Sequence, residues 1–460
     1  MTLRGIAAAV LVLLAVVGGL AGRPAAGAPP GPADYVIVAG SAGLRWDDLD
    51  PVRTPTLWQT ASRGAIGWLS VRSAHRPTCP LDGWLTLGAG NYAAWDAEPA
   101  DTRCSPAMPL LQRPDGIGAN LPDQRQVVRE NQARSYGAVP GALAESVRCT
   151  VAVGPGAAVA AARPFGRVDR YEPRLPADPA PLLSDCVLSI VDLGTVAGDG
   201  AIRRRAVARA DATLARVLAG RPARSLVLVA GLADTETVSR LHVAIADGPG
   251  WQGGWLTSAG TGRDGYVRLV DLAPTVLSAL GRAAPQRLFV GKSASRVPGR
   301  PNDLAQAVSG EYDADRRAGA QRDVAGPFFV TLAVVQLLLF GFVVPLLVRA
   351  RRHAGPTGPA SPPRHLLRAA ELLLVAAALV VPAALVADAV PWWRAGWPGV
   401  LFSVITALLV VAGTAAVRLA PGYARTLQPM ALVAAIGAAV VVIDLLTGAR
   451  LQLNGVAGYS

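Results

Sequence analysis

The segment HRPTCPLDGWLTLGAGN, residues 75–91, brings together residue types that can carry nucleophilic chemistry. Thr78 offers a hydroxyl, Cys79 a thiol, and His75 an imidazole three residues before the threonine. A hydroxyl becomes a good nucleophile only when an adjacent base or a metal ion helps to remove its proton. The segment therefore predicts either a nucleophile on a strand-to-helix turn, with His75 as a candidate base, or a segment that has lost this chemistry.

Three carboxylates lie near the predicted ends of strands and are candidates for a cation site. Asp48 belongs to the cluster GLRWDDLD, Asp192 ends the apolar run CVLSIVD, and Asp234 follows the run SLVLVAG. Carboxylate oxygens suit hard ions such as Ca²⁺ and Mg²⁺. For GLRWDDLD, a capped turn in solvent is the competing interpretation. His242 starts a predicted strand, which favours a hydrogen-bonded core or edge histidine over a metal ligand.

Short apolar runs alternate with helical stretches between residues 34 and 285. The runs cover 34–40, 65–71, 148–154, 186–192, 225–231 and 241–247, and the helical stretches cover 54–63, 141–147, 199–220 and 270–281. This alternation predicts an α/β domain whose doubly wound, largely parallel sheet is covered on both faces. Ligands bind such sheets at the carboxyl ends of the strands, so we expect a site in the loops after residues 39, 71, 192 and 230.

The N-terminal segment predicts export of the domain that follows it. One arginine precedes an apolar run and then small residues, which is typical of a secretory signal over residues 1–28 or of an uncleaved anchor. Either alternative places residues 30–325 outside the cytoplasm. Four later segments are long and apolar enough to form an all-α membrane region, at 327–348, 369–390, 397–417 and 429–447.

The charges between these four segments predict their orientation. The links after the first and third segments are rich in arginine, whereas the link between the second and third holds three tryptophans. Arginine-rich links are cytoplasmic and tryptophans mark the interface, so the sequence predicts a multi-pass cell-membrane protein. Residues 448–460 are then expected outside, in a chain that continues with further membrane helices. Asp444 is a functional candidate as an intramembrane carboxylate, although its place near the outer interface favours a structural role.

The four cysteines lie in the part of the chain that is predicted to be exported. An even number of cysteines outside the cytoplasm predicts two disulfides, and three pairings are open. We favour the pairing that closes the shortest loops, Cys79 with Cys104 and Cys149 with Cys186. The absence of a C-x-x-C motif argues against a metal site built from them.

The net charge of +12 comes almost entirely from arginine, and Lys292 is the only lysine. No dense basic cluster with interleaved aromatic residues is present, which argues against a nucleic-acid partner. The run IRRRAV, residues 202–207, is interpreted as a solvated helix face. The expected partners are the lipid bilayer and a ligand or protein of the cell envelope.

The order of motifs resembles the alkaline phosphatase-like superfamily, which includes phosphodiesterases, sulfatases and phosphoethanolamine transferases. GLRWDDL is similar to the family's DGLR-x-D segment, RPTCPLDGWLTLGAG to its nucleophile segment, and VRLVDLAPTVLSALG to its late helix. The resemblance covers roughly residues 34–285. The membrane half is similar to that of actinobacterial membrane proteins that carry such a domain. In the phosphoethanolamine and lipoteichoic-acid transferases the membrane helices precede the domain, so the reversed order here argues against that activity.

The resemblance implies divalent metals, held by Asp and His at strand ends, that activate a Thr, a Ser or a formylglycine made from Cys. It places the nucleophile at Thr78, two residues before Pro80, and leaves Cys79 off by one position. The family's metal ligands, however, are largely replaced. Its first Asp falls on Ala42, its D-x-x-x-H becomes Asp192 followed by Val196, and its SDHG becomes AGLA, with Gly231 and Leu232 in place of Asp and His.

Three functional hypotheses follow from these replacements. The leading one is a non-catalytic extracellular domain that needs no cofactor, attached to a membrane module of the cell envelope. The second is a phosphate or sulfate ester hydrolase or transferase that uses Thr78 with Ca²⁺, Mg²⁺ or Zn²⁺. The third is an envelope transport or assembly module with the domain as its sensor. Metal content separates the first two, whereas Asp444 matters chiefly in the third.

Overall fold

The computed structural model describes residues 32–95, 104, 111–113, 116–352, 364–420, 427–447, 451 and 455–456. The chain divides into two compact units, with the boundary between Tyr312 and Asp313. The predicted signal, residues 1–28, lies outside the described residues, as do most of the two predicted cytoplasmic links.

The first unit alternates strands and helices in the order that the sequence predicts. Its strands are β1 (Tyr35–Ala42), β2 (Ala65–Ser70), β3 (Ala119–Asn120), β4 (Thr150–Val153), β5 (Arg167–Val168), β6 (Arg170–Glu172), β7 (Leu188–Thr195), β8 (Ser225–Ala233), β9 (Leu241–Asp247), β10 (Trp255–Ser258), β11 (Tyr266–Arg268) and β12 (Ala294–Val297). Its helices are α1 (Pro55–Arg63), α2 (Pro80–Ala89), α3 (Gln124–Ala133), α4 (Ala142–Val147), α5 (Pro155–Ala161), α6 (Ala180–Ser184), α7 (Gly200–Ala219) and α8 (Leu272–Ala279). All six predicted strands and all four predicted helices are present.

One large sheet organises this unit. Its strand order is β12-β10-β2-β9-β8-β1-β7-β4-β6, with β11 paired to β2. The pairs from β8 to β6 along this order are parallel, whereas β9 and β12 run against their neighbours. The sheet is therefore largely parallel, and the carboxyl ends of its neighbouring strands β1, β7 and β8 lie side by side.

Apolar side chains cover the sheet on both faces. In β1, Val36 and Val38 belong to one buried cluster, and Ile37 and Ala39 belong to the other. The first cluster also draws on α2, α3, α4, α5 and α8, and the second on α1 and α7. A strand that is buried on both faces needs a continuous apolar run, which is the pattern that the sequence shows. The predicted fold class is confirmed.

The second unit is helical. It contains part of α9 (Leu304–Arg352), together with α10 (Arg364–Ala387), α11 (Pro398–Leu419) and α12 (Gln428–Leu446). Four helical stretches among the described residues are long and apolar enough to cross a membrane, at Arg316–Leu346, His365–Ala387, Pro398–Leu419 and Gln428–Leu446. They agree with the four predicted segments. The helix α9 begins well before the predicted residue 327, because the polar stretch that precedes the apolar run is also helical and is continuous with it.

Candidate functional site

Thr78, the predicted nucleophile position, lies between β2 and the first turn of α2. The residue is only 2% exposed. Two hydrogen bonds join its main chain to Asp234. The Asp234 N–H donates to the Thr78 carbonyl at 2.8 Å, and the Thr78 N–H donates to the side-chain Oδ2 of Asp234 at 3.3 Å. The sequence thus placed Thr78 and Asp234 at one site, and the structure brings them together. The threonine, however, is buried, where a substrate in solvent does not reach it.

Asp234 forms a buried pair with His242, a partner that the sequence analysis did not assign to it. The distance from His242 Nε2 to Asp234 Oδ1 is 3.0 Å, and the two side chains are 2% and 1% exposed. On the other side of the ring, His242 Nδ1 lies 3.1 Å from the Leu44 carbonyl oxygen, which can only accept. Both ring nitrogens of His242 therefore face an oxygen atom, and the Asp234 carboxylate is engaged by the imidazole.

The position of His242 leaves no space for a side chain at Gly231, where the resemblance places an aspartate. A Cβ atom at Gly231 would overlap the Leu44 carbonyl oxygen and would lie 2.8 Å from His242 Cβ. The space for a carboxylate at this position is therefore already taken. The interpretation of His242 as a hydrogen-bonded core histidine agrees with this geometry.

Two apolar side chains fill the space at the carboxyl ends of β1 and β8. Leu232, at the position of the family's histidine, is fully buried, and Trp84 of α2 is 1% exposed. Both side chains approach Gly40 of β1 so closely that a Cβ there would lie 2.5 Å from Trp84 Cη2 and would also overlap Leu232 Cδ1. The Trp84 ring reaches Gly156 of α5 as well. We call Trp84 and Leu232 the apolar plug.

His75 is held by partners other than Thr78. Its Nδ1 lies 3.3 Å from Asp82 Oδ2, and its Nε2 lies 3.3 Å from Arg134 Nη1. A guanidinium can only donate, so Nε2 accepts and Nδ1 carries the proton. Asp82 also accepts a bond from the Trp95 N–H at 2.7 Å. Both ring nitrogens are engaged in this arrangement, and the role of His75 as a base for Thr78 stays a prediction.

Asp48 is paired with an arginine that the sequence analysis assigned to solvent. Arg203 donates from Nε to Asp48 Oδ1 at 2.7 Å and from Nη2 to Asp48 Oδ2 at 2.6 Å. Arg203 belongs to the run IRRRAV, and it is buried, whereas Arg204 and Arg205 are exposed. The prediction of a solvated face is thus wrong for Arg203. Burial raises the pKa of Asp48, while the bonds to Arg203 act in the opposite direction.

Asp192 lies near the carboxyl end of β7, which continues to Thr195, and it accepts bonds from backbone groups. Its Oδ1 accepts from the Gly194 N–H at 2.8 Å, and its Oδ2 accepts from the Gly156 N–H at 3.0 Å. Burial raises the pKa of Asp192, and these two hydrogen bonds oppose that shift. The side chain thus joins the end of β7 to the start of α5.

The three candidate carboxylates do not suit a divalent metal ion in this arrangement. Asp48 is engaged by Arg203, Asp234 by His242, and Asp192 by two backbone N–H groups. Metal sites of the types considered need several oxygen or nitrogen ligands around one point. Within the described ranges, no three His, Cys, Asp or Glu side chains converge in this way. We therefore derive no chemical step through a metal.

The predicted disulfide pairing is confirmed. Cys79 is bonded to Cys104, and Cys149 to Cys186. Cys79 is the N-cap residue of α2 directly after Thr78, so the first disulfide lies beside the position at which the resemblance places the nucleophile. With its sulfur in that bond, Cys79 has no free thiol for conversion to formylglycine.

Asp444, the candidate of the membrane half, is buried at the end of α12 and accepts a bond from the Leu451 N–H at 2.9 Å. Asp388 accepts a hydrogen bond from the Val456 N–H at 2.7 Å and another from Trp392 Nε1 at 3.0 Å. These two carboxylates hold the described part of the C-terminal segment. A functional role of Asp444 beyond this contact stays a prediction.

No protein-family model matches the sequence, and no match was found among curated proteins. Solved structures that are similar to this chain include a protein of the alkaline phosphatase superfamily from Vibrio parahaemolyticus, at 13% identity and a TM-score of 0.34 over 60% of this chain and 73% of that one. The lipoteichoic acid synthase LtaP from Listeria monocytogenes is 11% identical with a TM-score of 0.33, over 57% and 75%. A putative sulfatase from Bacteroides thetaiotaomicron is 13% identical with a TM-score of 0.31, over 58% and 74%.

The fold and the positions of the matched motifs agree with the resemblance seen in the sequence. GLRWDDL follows β1, the nucleophile segment opens α2, and VRLVDLAPTVLSALG forms β11 and α8. The large, mostly parallel sheet between helices is the architecture that this resemblance implies. The first unit therefore has the type of fold that this resemblance implies, and four apolar helices follow it along the chain.

Proposed function

We propose that the chain is a multi-pass membrane protein of the cell envelope whose extracellular alkaline phosphatase-like domain is not catalytic. The observation that carries this proposal is the apolar plug. Trp84 and Leu232 occupy the carboxyl-end edge of the sheet, where a site in this type of sheet is expected. A domain of this kind would act by binding, and its partner would be a ligand or protein of the envelope.

Electrostatics supports the absence of hydrolysis. Transfer of a phosphoryl or sulfuryl group needs donors or metal ions that stabilise the charge developing on its oxygens. Asp234, which is bonded to the Thr78 N–H, is buried and paired with His242. The apolar plug consists of a leucine and of a tryptophan whose ring lies against Gly40 and Gly156. A single imidazole at His75 does not replace a pair of metal ions.

Three features of the chain support the extracellular location. The first is the signal-like segment at residues 1–28, and the second is the pair of disulfides, which persist in oxidising compartments. The third is the placement of arginine in the links between the apolar helices. Together they favour an exported domain on a membrane-embedded helical region.

The test is a metal analysis of the purified full-length chain combined with an ester screen. The substrates are bis(p-nitrophenyl) phosphate and p-nitrophenyl sulfate, each with added Mg²⁺, Ca²⁺ or Zn²⁺. We expect less than one bound metal ion per chain and the same background rate for wild type and Thr78→Ala. Thr213→Ala, which removes a half-buried hydroxyl that donates to the Arg209 carbonyl on α7, is the matched control.

The proposal fails if a metal-dependent rate appears in wild type and in Thr213→Ala but is lost in Thr78→Ala with the fold intact. That outcome would support the alternative of an ester hydrolase or transferase. Loss of the same rate in Asp192→Asn would further identify Asp192 as part of the reacting site.

A further inference from the structure

A cavity lined by three arginines and an aspartate, together with apolar residues, lies at the end of β8 opposite to the Thr78 site. It has a volume of about 710 Å³ and is bounded by the ends of α1 and α7, the start of β8 and the end of β9. Its lining includes Arg63, Arg221, Arg224, Ser225 and Asp247. The strand β8 has nine residues, so the cavity and the apolar plug are separated by roughly 25 Å along that strand.

Two arginines from different elements converge on one oxygen atom in this cavity. Arg63 Nη2 lies 3.2 Å from Asp247 Oδ2, and Arg221 Nη1 lies 3.0 Å from the same oxygen. The Asp247 side chain is 9% exposed, whereas those of Arg63 and Arg221 are 51% and 32% exposed. A buried carboxylate thus holds two guanidinium groups whose outer faces remain accessible. Each guanidinium has five N–H donors, so most of its donors are left for another acceptor.

Arg224 and Ser225, which also line the cavity, have two further unusual features. Arg224 has a left-handed backbone conformation, with φ of 53°, and its Nε donates to Asp34 at 3.0 Å. Side chains other than glycine rarely adopt this conformation, and such strain is concentrated at functional sites. Ser225 is 4% exposed, and its hydroxyl has no hydrogen-bond partner in the described part of the chain.

The charges in the cavity indicate the class of ligand. Arg63 and Arg221 together carry two positive charges and Asp247 one negative charge, so this trio has a net charge of +1, and Arg224 is balanced by Asp34. A phosphodiester carries one negative charge and offers tetrahedrally arranged oxygens to donors that come from two sides. Guanidinium groups are well suited to such oxygens.

We propose that this cavity binds a phosphodiester group. Arg63 and Arg221 donate to its free oxygens, and Asp247 is the positioning residue that holds both guanidinium groups. The proposal does not depend on whether the Thr78 site is catalytic, because the two sites lie at opposite ends of β8. Two sources present this group outside a cell, a phosphodiester-linked polymer and the head group of a lipid.

The experiment is isothermal titration calorimetry on the full-length chain in a non-ionic detergent at low, constant ionic strength. The probe for the shared chemistry is dimethyl phosphate, and acetate is the monoanion that tests for a carboxylate preference. A linear glycerol phosphate oligomer and glycerophosphoglycerol then distinguish a polymer from a head group. We expect saturable binding of dimethyl phosphate that is tighter than that of acetate.

The variants are Arg63→Gln and Arg221→Gln, each of which leaves one guanidinium on Asp247 and so preserves its pairing. Loss of charged hydrogen bonds should weaken binding of dimethyl phosphate by at least about tenfold in each. The matched control is Arg204→Gln, which removes the same charge from an exposed position on α7 outside the cavity and should leave the affinity unchanged.

The proposal is overturned if dimethyl phosphate gives no saturable binding, if acetate binds as tightly, or if Arg204→Gln weakens binding as much as the cavity variants do. Tighter binding of the oligomer than of glycerophosphoglycerol would identify a polymer, and equal binding a head group. Both of these results support the site. None of the outcomes depends on ester hydrolysis, so failure here is distinguishable from failure of the proposed function.

Discussion

Leu232 lies where the family resemblance places a histidine, so an apolar side chain occupies a position where a potential metal ligand is expected. Its side chain is fully buried against Gly40 and Trp84. An imidazole at this position could hold a metal ion, whereas a leucine can only pack. In this chain the side chain of Leu232 is part of the buried core.

Leu232→Ala should therefore lower the free energy of unfolding of the domain by about 2–5 kcal/mol, because it removes buried methyl groups and leaves a cavity. Leu232→Met conserves volume and should cost less than about 1.5 kcal/mol. Chemical denaturation of the full-length chain, followed by tryptophan fluorescence, measures both. A small effect of Leu232→Ala would mean that the apolar plug is not tightly packed.

The pair of Asp234 and His242 makes a second prediction at this scale. Removal of one member leaves the other buried without its partner, so His242→Ala should destabilise the domain by about 3–5 kcal/mol. Combining it with Asp234→Asn should cost clearly less than the sum of the two single changes. Additive effects in the same denaturation experiment would show that the two side chains do not interact.

Asp192 predicts a dependence on pH. Because burial raises its pKa in the folded state, the folded chain holds the proton to higher pH than the unfolded chain. The cost of ionising Asp192 is therefore absent below its unfolded pKa and is fully present above its raised folded pKa. Wild type should lose stability relative to Asp192→Asn as the pH rises through this range. A stability difference that stays constant between acidic and neutral pH would contradict the prediction.

At the scale of elements, the helix of the nucleophile segment packs closely against both β8 and α5. The glycines of α2 allow this close approach: a Cβ at Gly83 would lie 2.9 Å from Ala233 Cβ, and one at Gly88 would lie 3.0 Å from Ala160 Cα. The late helix is anchored similarly. Fully buried Asp271 accepts bonds from Ser258 Oγ at 2.7 Å and from the Lys292 N–H at 2.9 Å. Neither contact requires a metal.

The same substitution in two helices tests this account. Gly88→Ala should destabilise the domain, since overpacking typically costs about 1–3 kcal/mol. Gly310→Ala in α9 meets no atom within 4 Å and should instead stabilise by up to about 1 kcal/mol through helix propensity. Thermal unfolding of the two variants should show shifts of opposite sign, and shifts of the same sign would refute the packing argument.

The elements were predictable from the sequence because continuous apolar runs and helix stops are local signals. The side-chain contacts at the candidate site were not predictable, because they depend on how the fold brings separate elements together. Asp234 and His242 are close in sequence, but their contact depends on the turn between β8 and β9. Asp48 and Arg203 are 155 residues apart. Trp84 gave a weak signal, as a large apolar residue between the glycines of α2, but its neighbours Gly40 and Gly156 appear only in the fold.

At the scale of the whole molecule, the chain joins a disulfide-bonded α/β unit to apolar helices. In the helical unit, Trp392 and Phe402 pack with ring centres 5.0 Å apart, beside buried Ala384 and Ala387. Asp388 ties this aromatic cluster to the C-terminal segment through Val456. The tryptophan-rich link is therefore a packed structure, which suits its expected place at the outer interface of a membrane.

The predicted orientation can be tested in intact cells with a thiol reagent that does not cross membranes. The native cysteines are paired, so they do not react. Gly355→Cys and Gly422→Cys lie in the arginine-rich links and should stay unlabelled until the membrane is permeabilised, because positively charged links remain inside. Gly396→Cys, in the tryptophan-rich link, is the matched control and should react at once. Labelling of either inner position in intact cells, with Gly396→Cys protected, would invert the topology and would place the alkaline phosphatase-like domain in the cytoplasm, where its two disulfides would not be expected to persist.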